Sequence, residues 1–158
     1  MLYRRYKPED FAALYAIEEA CFQPPLRFGR RYMRQLIDSA SSATWIAEED
    51  GRMAGFAIVE WSEETTGTIA YIQTLEVAPD WRVQGVGGEL LRRIEGSARD
   101  AGSQAIWLHV HAENDAAIRL YHAHGYLSAG REENYYARGN AALVCIKPLE
   151  NEAPGTES

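Results

Sequence analysis

Cysteine is scarce in this chain: Cys21 and Cys145 are the only 2 among 158 residues. They form no metal-spaced pair and cannot staple a disulfide scaffold, so free buried thiols in a reducing compartment are expected. Long hydrophobic runs are missing too; none approaches the ~18–20 residues of a membrane helix. Positive charge is in deficit, with 16 Lys and Arg against 23 Asp and Glu and a net charge of −7. A general nucleic-acid binder needs a basic contact face, so that partner is not expected. No apolar stretch follows Met1-Leu2-Tyr3-Arg4-Arg5-Tyr6-Lys7. No secretory signal is therefore read, and a cytoplasmic protein without a membrane partner is expected. A glycine-lysine phosphate loop, an HExxH zinc pair and a GxSxG elbow are all absent. His109, His111, His122 and His124 place no third ligand beside any pair of them, so no metal is expected.

What is present suits a folded domain: 46% hydrophobic and 25% charged residues, near the averages for soluble proteins and enough for a sizeable core. The elements mix α with β. Residues 2–6 read as a first strand. Pro8, Glu9 and Asp10 then open a helix whose apolar stripe is Phe11, Leu14, Ile17 and Cys21, and Gln23-Pro24-Pro25 stops it. A second helix is expected over 29–40, with Tyr32, Met33, Leu36 and Ile37 inward. Arg27, Arg30, Arg31 and Arg34 gather on its other side, as a solvated basic face or a substrate patch. Strands are expected at 44–48 and 53–61 around an Asp50-Gly51 hairpin turn, and at 68–77. Helix 85–101 carries Val86, Leu90, Leu91, Ile94 and Ala98 inward, with Gly102 as its cap. Strand 105–110, helix 114–123 and strands 126–132 and 141–147 complete the order. One domain over 1–149 is expected, with a frayed polar tail at 150–158.

The most informative stretch is Leu75-Glu76-Val77-Ala78-Pro79-Asp80-Trp81-Arg82-Val83-Gln84-Gly85-Val86-Gly87-Gly88. It runs from a strand end through a loop into a helix start. Glycines one residue apart let a ligand approach the backbone, and a helix N-terminus offers unpaired N–H groups and partial positive charge. Together they suit a pyrophosphate, although a plain strand-to-helix turn has the same look. A dinucleotide-binding domain does not fit, since the glycines are not G-x-G-x-x-G and no early strand precedes them.

Arg82-x-x-Gly85-x-Gly87 resembles the acetyl-coenzyme A signature of the GCN5-related N-acetyltransferases, and Leu75-x-Val77-x-Pro79 before it is typical of them. Asn114-x-x-Ala117-Ile118-x-Leu120-Tyr121-x-x-x-Gly125-Tyr126 is similar to a second block of the same family. The resemblance extends from Tyr3 to Leu149. It implies an α/β (α+β) fold, a mixed and mostly antiparallel sheet with helices on both faces. Its parallel fourth and fifth strands, here 68–77 and 105–110, would splay apart. It also implies an acetyl-CoA-dependent N-acetyltransferase. The backbone of Leu75, Glu76 and Val77 would pair with the pantetheine arm. Arg82 belongs to the signature, and the N–H groups of Val83, Gln84, Gly85, Val86, Gly87 and Gly88 would hold the pyrophosphate. Asn114 would contact the coenzyme near the pantetheine.

Acetyl transfer requires a deprotonated amine, a polarised thioester carbonyl and a protonated or stabilised leaving thiolate. Tyr121 matches the family's usual general acid; the residue alone reads as a core aromatic of an amphipathic helix. The strand-five glutamate of the ribosomal-protein alanine acetyltransferases is replaced here by Trp107-Leu108-His109-Val110. Tyr71-Ile72-x-Thr74-Leu75 with Leu108-His109-Val110 instead resembles eukaryotic N-terminal acetyltransferases, in which a tyrosine and a histidine hold a water that deprotonates the α-amine. Those roles would fall to Tyr71 and His109. Glu76 is a competing base, or else a solvent- or helix-facing carboxylate. Glu133-Asn134-Tyr135-Tyr136 resembles the hairpin loop with which those relatives bind a peptide, and Cys21-Phe22-Gln23-Pro24-Pro25-Leu26 resembles their other peptide-side loop. By that likeness Phe22, Pro24, Tyr135 and Tyr136 would touch the acceptor. The implied acceptor is a peptide or protein N-terminus; a small-molecule amine or lysine side chain is the alternative, and a non-catalytic acetyl-CoA-binding module the third. A monomer or homodimer is expected.

Overall fold

A computed structural model describes residues 1–150, so the tail expected at 150–158 lies, from residue 151 on, outside the described residues. In chain order the elements are β1 Leu2–Arg5, α1 Phe11–Cys21, α2 Arg30–Asp38, β2 Ser42–Glu49, β3 Arg52–Glu64, β4 Gly67–Val77, α3 Val86–Asp100, β5 Ser103–His111, α4 Asp115–Ala123, β6 Leu127–Ala137 and β7 Asn140–Pro148. The strands form one sheet of 7 in the order β1-β2-β3-β4-β5-β7-β6. Every neighbouring pair is antiparallel except β4 and β5. The fold is therefore mixed α/β with a mostly antiparallel sheet.

Helices cover both faces of the sheet. Leu90, Leu91, Ile94 and Ala98 of α3 pack on Ala57, Val59, Ala70, Ile72 and Ile106. Leu14 and Ile17 of α1, with Met33 and Leu36 of α2, pack on Ile46, Phe56 and Ile58. The strand period sends Phe56 and Ile58 to one layer and Ala57 and Val59 to the other. A strand buried on both sides reads as an unbroken apolar run, as β3 does. Each fully buried leucine or isoleucine stabilises the fold by about 1.5–3 kcal/mol. The buried carboxylate of Glu95 is matched: it accepts the Tyr126 hydroxyl at 2.7 Å and Lys147 Nζ at 3.1 and 3.2 Å.

Two expectations are corrected. Tyr32 does not point inward; it is 46% exposed and meets Phe28 edge-on. A helix of 9 residues over Arg30–Asp38 has room for only one narrow stripe, which Met33 and Leu36 fill. The last hairpin is also longer than expected, because β6 continues to Ala137 and takes Asn134, Tyr135 and Tyr136 into an irregular strand end rather than an open loop. Asn134 adopts φ 56 there, and its Oδ1 accepts the Gly139 N–H at 2.7 Å. A short polar side chain bonding locally makes that left-handed turn accessible.

The site is prepared by the way β4 and β5 part. Their parallel pairing runs Thr68↔Ser103, Ala70↔Ile106 and Tyr71↔Trp107 and goes no further. On its other side β4 stays paired with β3 up to Val77↔Gly55, with a register shift that leaves Gln73 as an extra residue. Such a bulge bends a strand and increases its twist. A Cβ on Gly55 would lie 2.5 Å from the Glu76 carbonyl oxygen, so the strands keep this spacing only with glycine there.

Candidate active site

The groove beyond the split begins at the loop between β4 and α3. Gly85 caps α3 at φ 81, a backbone state that glycine adopts without steric cost. Val83 stands at φ 61 with its side chain fully exposed. For a β-branched residue this conformation is strained, a feature that clusters at ligand sites. Arg82 bridges the loop to the strand end, its Nε donating to the Val77 carbonyl at 3.2 Å. An open groove of about 590 Å³ is lined here by Leu75, Glu76, Val77, Arg82, Val83, Gly85, Val86, Gly87, Gly88 and Asn114. Gln84 is not among its walls; its side chain turns back to the Asp80 carbonyl. Trp81, Arg119 and Leu120 add walls to which the sequence motifs assigned no role. The side of β4 that faces the split is without a strand partner past Tyr71. The groove therefore combines free strand edge, close-approach glycines and a helix N-terminus, which fits an extended arm ending in a pyrophosphate.

The groove meets a second cavity of about 100 Å³, with Phe22, Leu75, Asn114 and Ala117 common to both. His109, His111, Tyr121, Tyr136, Leu26, Phe28 and Glu18 also line it, with the strand residues Ile72, Gln73, Thr74, Leu108 and Val110. Asn114 also caps α4, its Oδ1 accepting the Ala117 N–H at 3.2 Å. Tyr121 is 5% exposed, and burial raises its phenol above the ordinary value. Pro24 is not brought to this cavity: it is exposed, and Leu26 and Phe28 occupy the wall where it was expected. The 8 residues from 22 to 29 between α1 and α2 form a turn that carries the prolines outward.

Tyr71 and His109 lie on the two diverging strands and meet where they part. The Tyr71 hydroxyl is 2.7 Å from His109 Nδ1. Burial, then its contact with Tyr135, raises the Tyr71 phenol, so it keeps its proton and is the donor in this bond. Nε2 of a neutral His109 then carries the ring proton, 3.3 Å from Oε2 of Glu132. That carboxylate is close but off the hydrogen-bonding line, since Nε2 finds no partner of acceptable geometry. Tyr135 stacks on His109 with ring centres 4.0 Å apart, and Tyr136 stacks on His111 at 5.6 Å. Tyr71 and Tyr135 thus stand behind the cavity wall, against His109, while Tyr136 lines the cavity itself. Glu132 carried no sequence signal, because its approach to His109 depends on how β6 registers on β7.

Glu76 faces α1 and is 3% exposed. Burial first, then the neighbouring Glu18 carboxyl, raises its pKa well above the ordinary glutamate value.

Residues 11–126 match the family described as Acetyltransferase (GNAT) family. The chain belongs to that family. The ribosomal protein bS18-alanine N-acetyltransferase of Escherichia coli (strain K12) is 38% identical over 106 residues, 64% of this chain and 68% of that enzyme. The streptothricin acetyltransferase of Streptomyces lavendulae is 35% identical over 119 residues, which span 70% of this chain but only 60% of the relative. The solved structure of NAA60 from Arabidopsis thaliana in complex with acetyl-CoA has a TM-score of 0.82 at 21% identity, over 94% of this chain and 98% of that one, a likeness of fold. This GNAT chain is an acyltransferase, and acetyl-CoA is its cosubstrate.

Proposed function

We propose that this GNAT enzyme acetylates the α-amine of a peptide or protein N-terminus by direct attack in a ternary complex. The observation that carries the reading is the Tyr71 hydroxyl bonded at 2.7 Å to His109 Nδ1 where the two strands part. An α-amine titrates near ~7.7–8.0 and an imidazole near ~6.5, whereas a lysine amine lies near ~10.4. A histidine-based path is therefore matched to an α-amine far better than to a lysine.

Acetyl-CoA supplies an activated acyl thioester. Every other contribution comes from the chain. The backbone N–H groups of Val83 and of residues 85–88 hold the pyrophosphate, and the unpaired edge of residues 75–77 aligns the pantetheine arm. A water held at His109, which lines the cavity, and its partner Tyr71 takes the amine proton and hands one on through the Tyr71 hydroxyl to His109 Nδ1. Glu132 beside Nε2 favours the imidazolium so formed. Tyr121, its phenol protonated, gives a proton to the leaving sulfur. Phe22, Leu26 and Phe28 receive the first side chain of the acceptor against Tyr136, with Tyr135 behind.

A product-resolved acceptor screen tests this. Free peptides, the same peptides with blocked N-termini, and small amines are offered together, and the acetyl position is read by mass spectrometry. The expected product is acetylated at the α-amine, with blocked peptides inert. Acetylation confined to lysine side chains or to small amines contradicts the reading.

A further inference from the structure

Two buried carboxyl groups face each other between α1 and β4. Glu18 is 1% and Glu76 3% exposed. Each has one oxygen occupied: Glu18 Oε2 accepts the Phe28 N–H at 2.9 Å, and Glu76 Oε2 accepts the Thr74 hydroxyl at 2.6 Å. Oε1 of each finds no donor among the described residues. Two anions cannot remain in contact without water; a proton between them satisfies both free oxygens. Phe28 belongs to the acceptor-side wall, and its carbonyl is also held by α1, accepting the Tyr15 hydroxyl at 2.7 Å.

We propose that Glu18 and Glu76 share one proton and act as positioning residues, locking the acceptor-side loop at Phe28 to the strand that borders the coenzyme groove. Glu76 carries the proton, and Glu18 Oε2 holds the Phe28 N–H. Loss of that proton places two negative charges in contact, parts α1 from β4 and frees Phe28. Around the pair stand Thr74 on β4, Cys21 on α1 with Arg82 against its sulfur, Tyr121 on α4, and His109 and His111 across the cavity. None of these supplies a cation in contact with either carboxyl oxygen that stays free. Since the folded pKa of Glu76 lies above its unfolded value, near ~4.3, the stability tied to its proton is full below that value. It is lost as pH rises through the folded one.

The proposal rests on the acceptor reading above only for its kinetic consequence, and the test keeps the two apart. Protection of the Phe28 amide against hydrogen exchange, relative to the unfolded chain, is followed across pH, while carboxyl-carbon NMR follows Glu76. Protection is expected to fall as Glu76 ionises, and acceptor KM, compared with E76Q at the same pH, to rise about tenfold or more, as for a broken charge-assisted bond, with coenzyme Kd holding. In E76Q a permanently neutral donor faces Glu18, so the pH dependence of Phe28 protection disappears and acceptor KM keeps only the dependence set by the acceptor amine. In E18Q Phe28 protection is low at every pH. T74V removes the donor that favours ionised Glu76 and moves the loss of protection to higher pH, a check that survives any misfolding of E76Q. Phe28 protection independent of Glu76 ionisation, or an unchanged dependence in E76Q, overturns the proposal. Protection that follows Glu76 while no peptide is acetylated leaves the pair standing and removes the α-amine reading.

Discussion

Tyr121→Phe is expected to lower turnover by about 10²–10⁴-fold, the range for loss of an acid–base group. The substitution removes one hydroxyl and leaves the ring, which packs edge-on against Tyr126 with centres 5.4 Å apart, in place. Folding and coenzyme affinity should therefore hold. The effect arises because burial keeps the phenol protonated, and it lines the cavity that joins the coenzyme groove. Without it the departing thiolate has no proton from this side. Stopped-flow single turnover separates the chemical step from binding, and the loss should fall entirely on that step. Turnover at the level of the unsubstituted enzyme would reduce Tyr121 to a core aromatic.

Gly87→Asp is expected to weaken acetyl-CoA binding by about 100-fold or more, the scale of like charges brought together at an interface. A Cβ at Gly87 would meet Leu120 Cδ2 at 3.4 Å, Val77 Cγ2 at 3.6 Å and Leu75 Cδ2 at 3.7 Å, all ordinary contacts. The backbone of α3 accordingly tolerates the new residue, and the carboxylate beyond the Cβ enters the groove. Calorimetric titration measures the affinity, and the melting temperature without coenzyme reports that the variant is folded. A further sign is loss of the rise in melting temperature that coenzyme gives the unsubstituted enzyme, because only the native state binds it. Unchanged affinity in a folded variant contradicts the assignment of the loop.

Much of this was legible in local pattern. Asp50 and Gly51, at φ 51 and 76, form the hairpin turn that their pairing suggests. Gly85 and Gly87 line the groove that their spacing suggested, and φ 81 at Gly85 is the backbone state that favours glycine there. Tyr71 and His109, 38 positions apart, could be brought together by likeness to known catalytic pairs; alternation along two separate strands does not set their distance. What escaped depends on partners distant in sequence. Glu76 reads as a competing base or a solvent- or helix-facing carboxylate, and the choice of the helix face follows from Glu18 on a helix packed across it. Glu132 reaches His109 only through the register of β6 on β7. Pro24 was drawn toward the acceptor by family likeness, but the turn at residues 22–29 carries it out to solvent and brings Leu26 and Phe28 in.

The account depends above all on the proton path between β4 and β5. The measurement that bears on it most directly is the pH profile of turnover for His109→Ala, Tyr71→Phe and the double variant with a peptide acceptor. Each single change should lower turnover, and the double variant should lose less than the product of the two, since groups that act as a unit are not additive. Higher pH should partly rescue all three, because a larger share of the acceptor amine is then already neutral. Full additivity, or a His109→Ala profile identical to that of the unsubstituted enzyme, would mean that the amine loses its proton elsewhere.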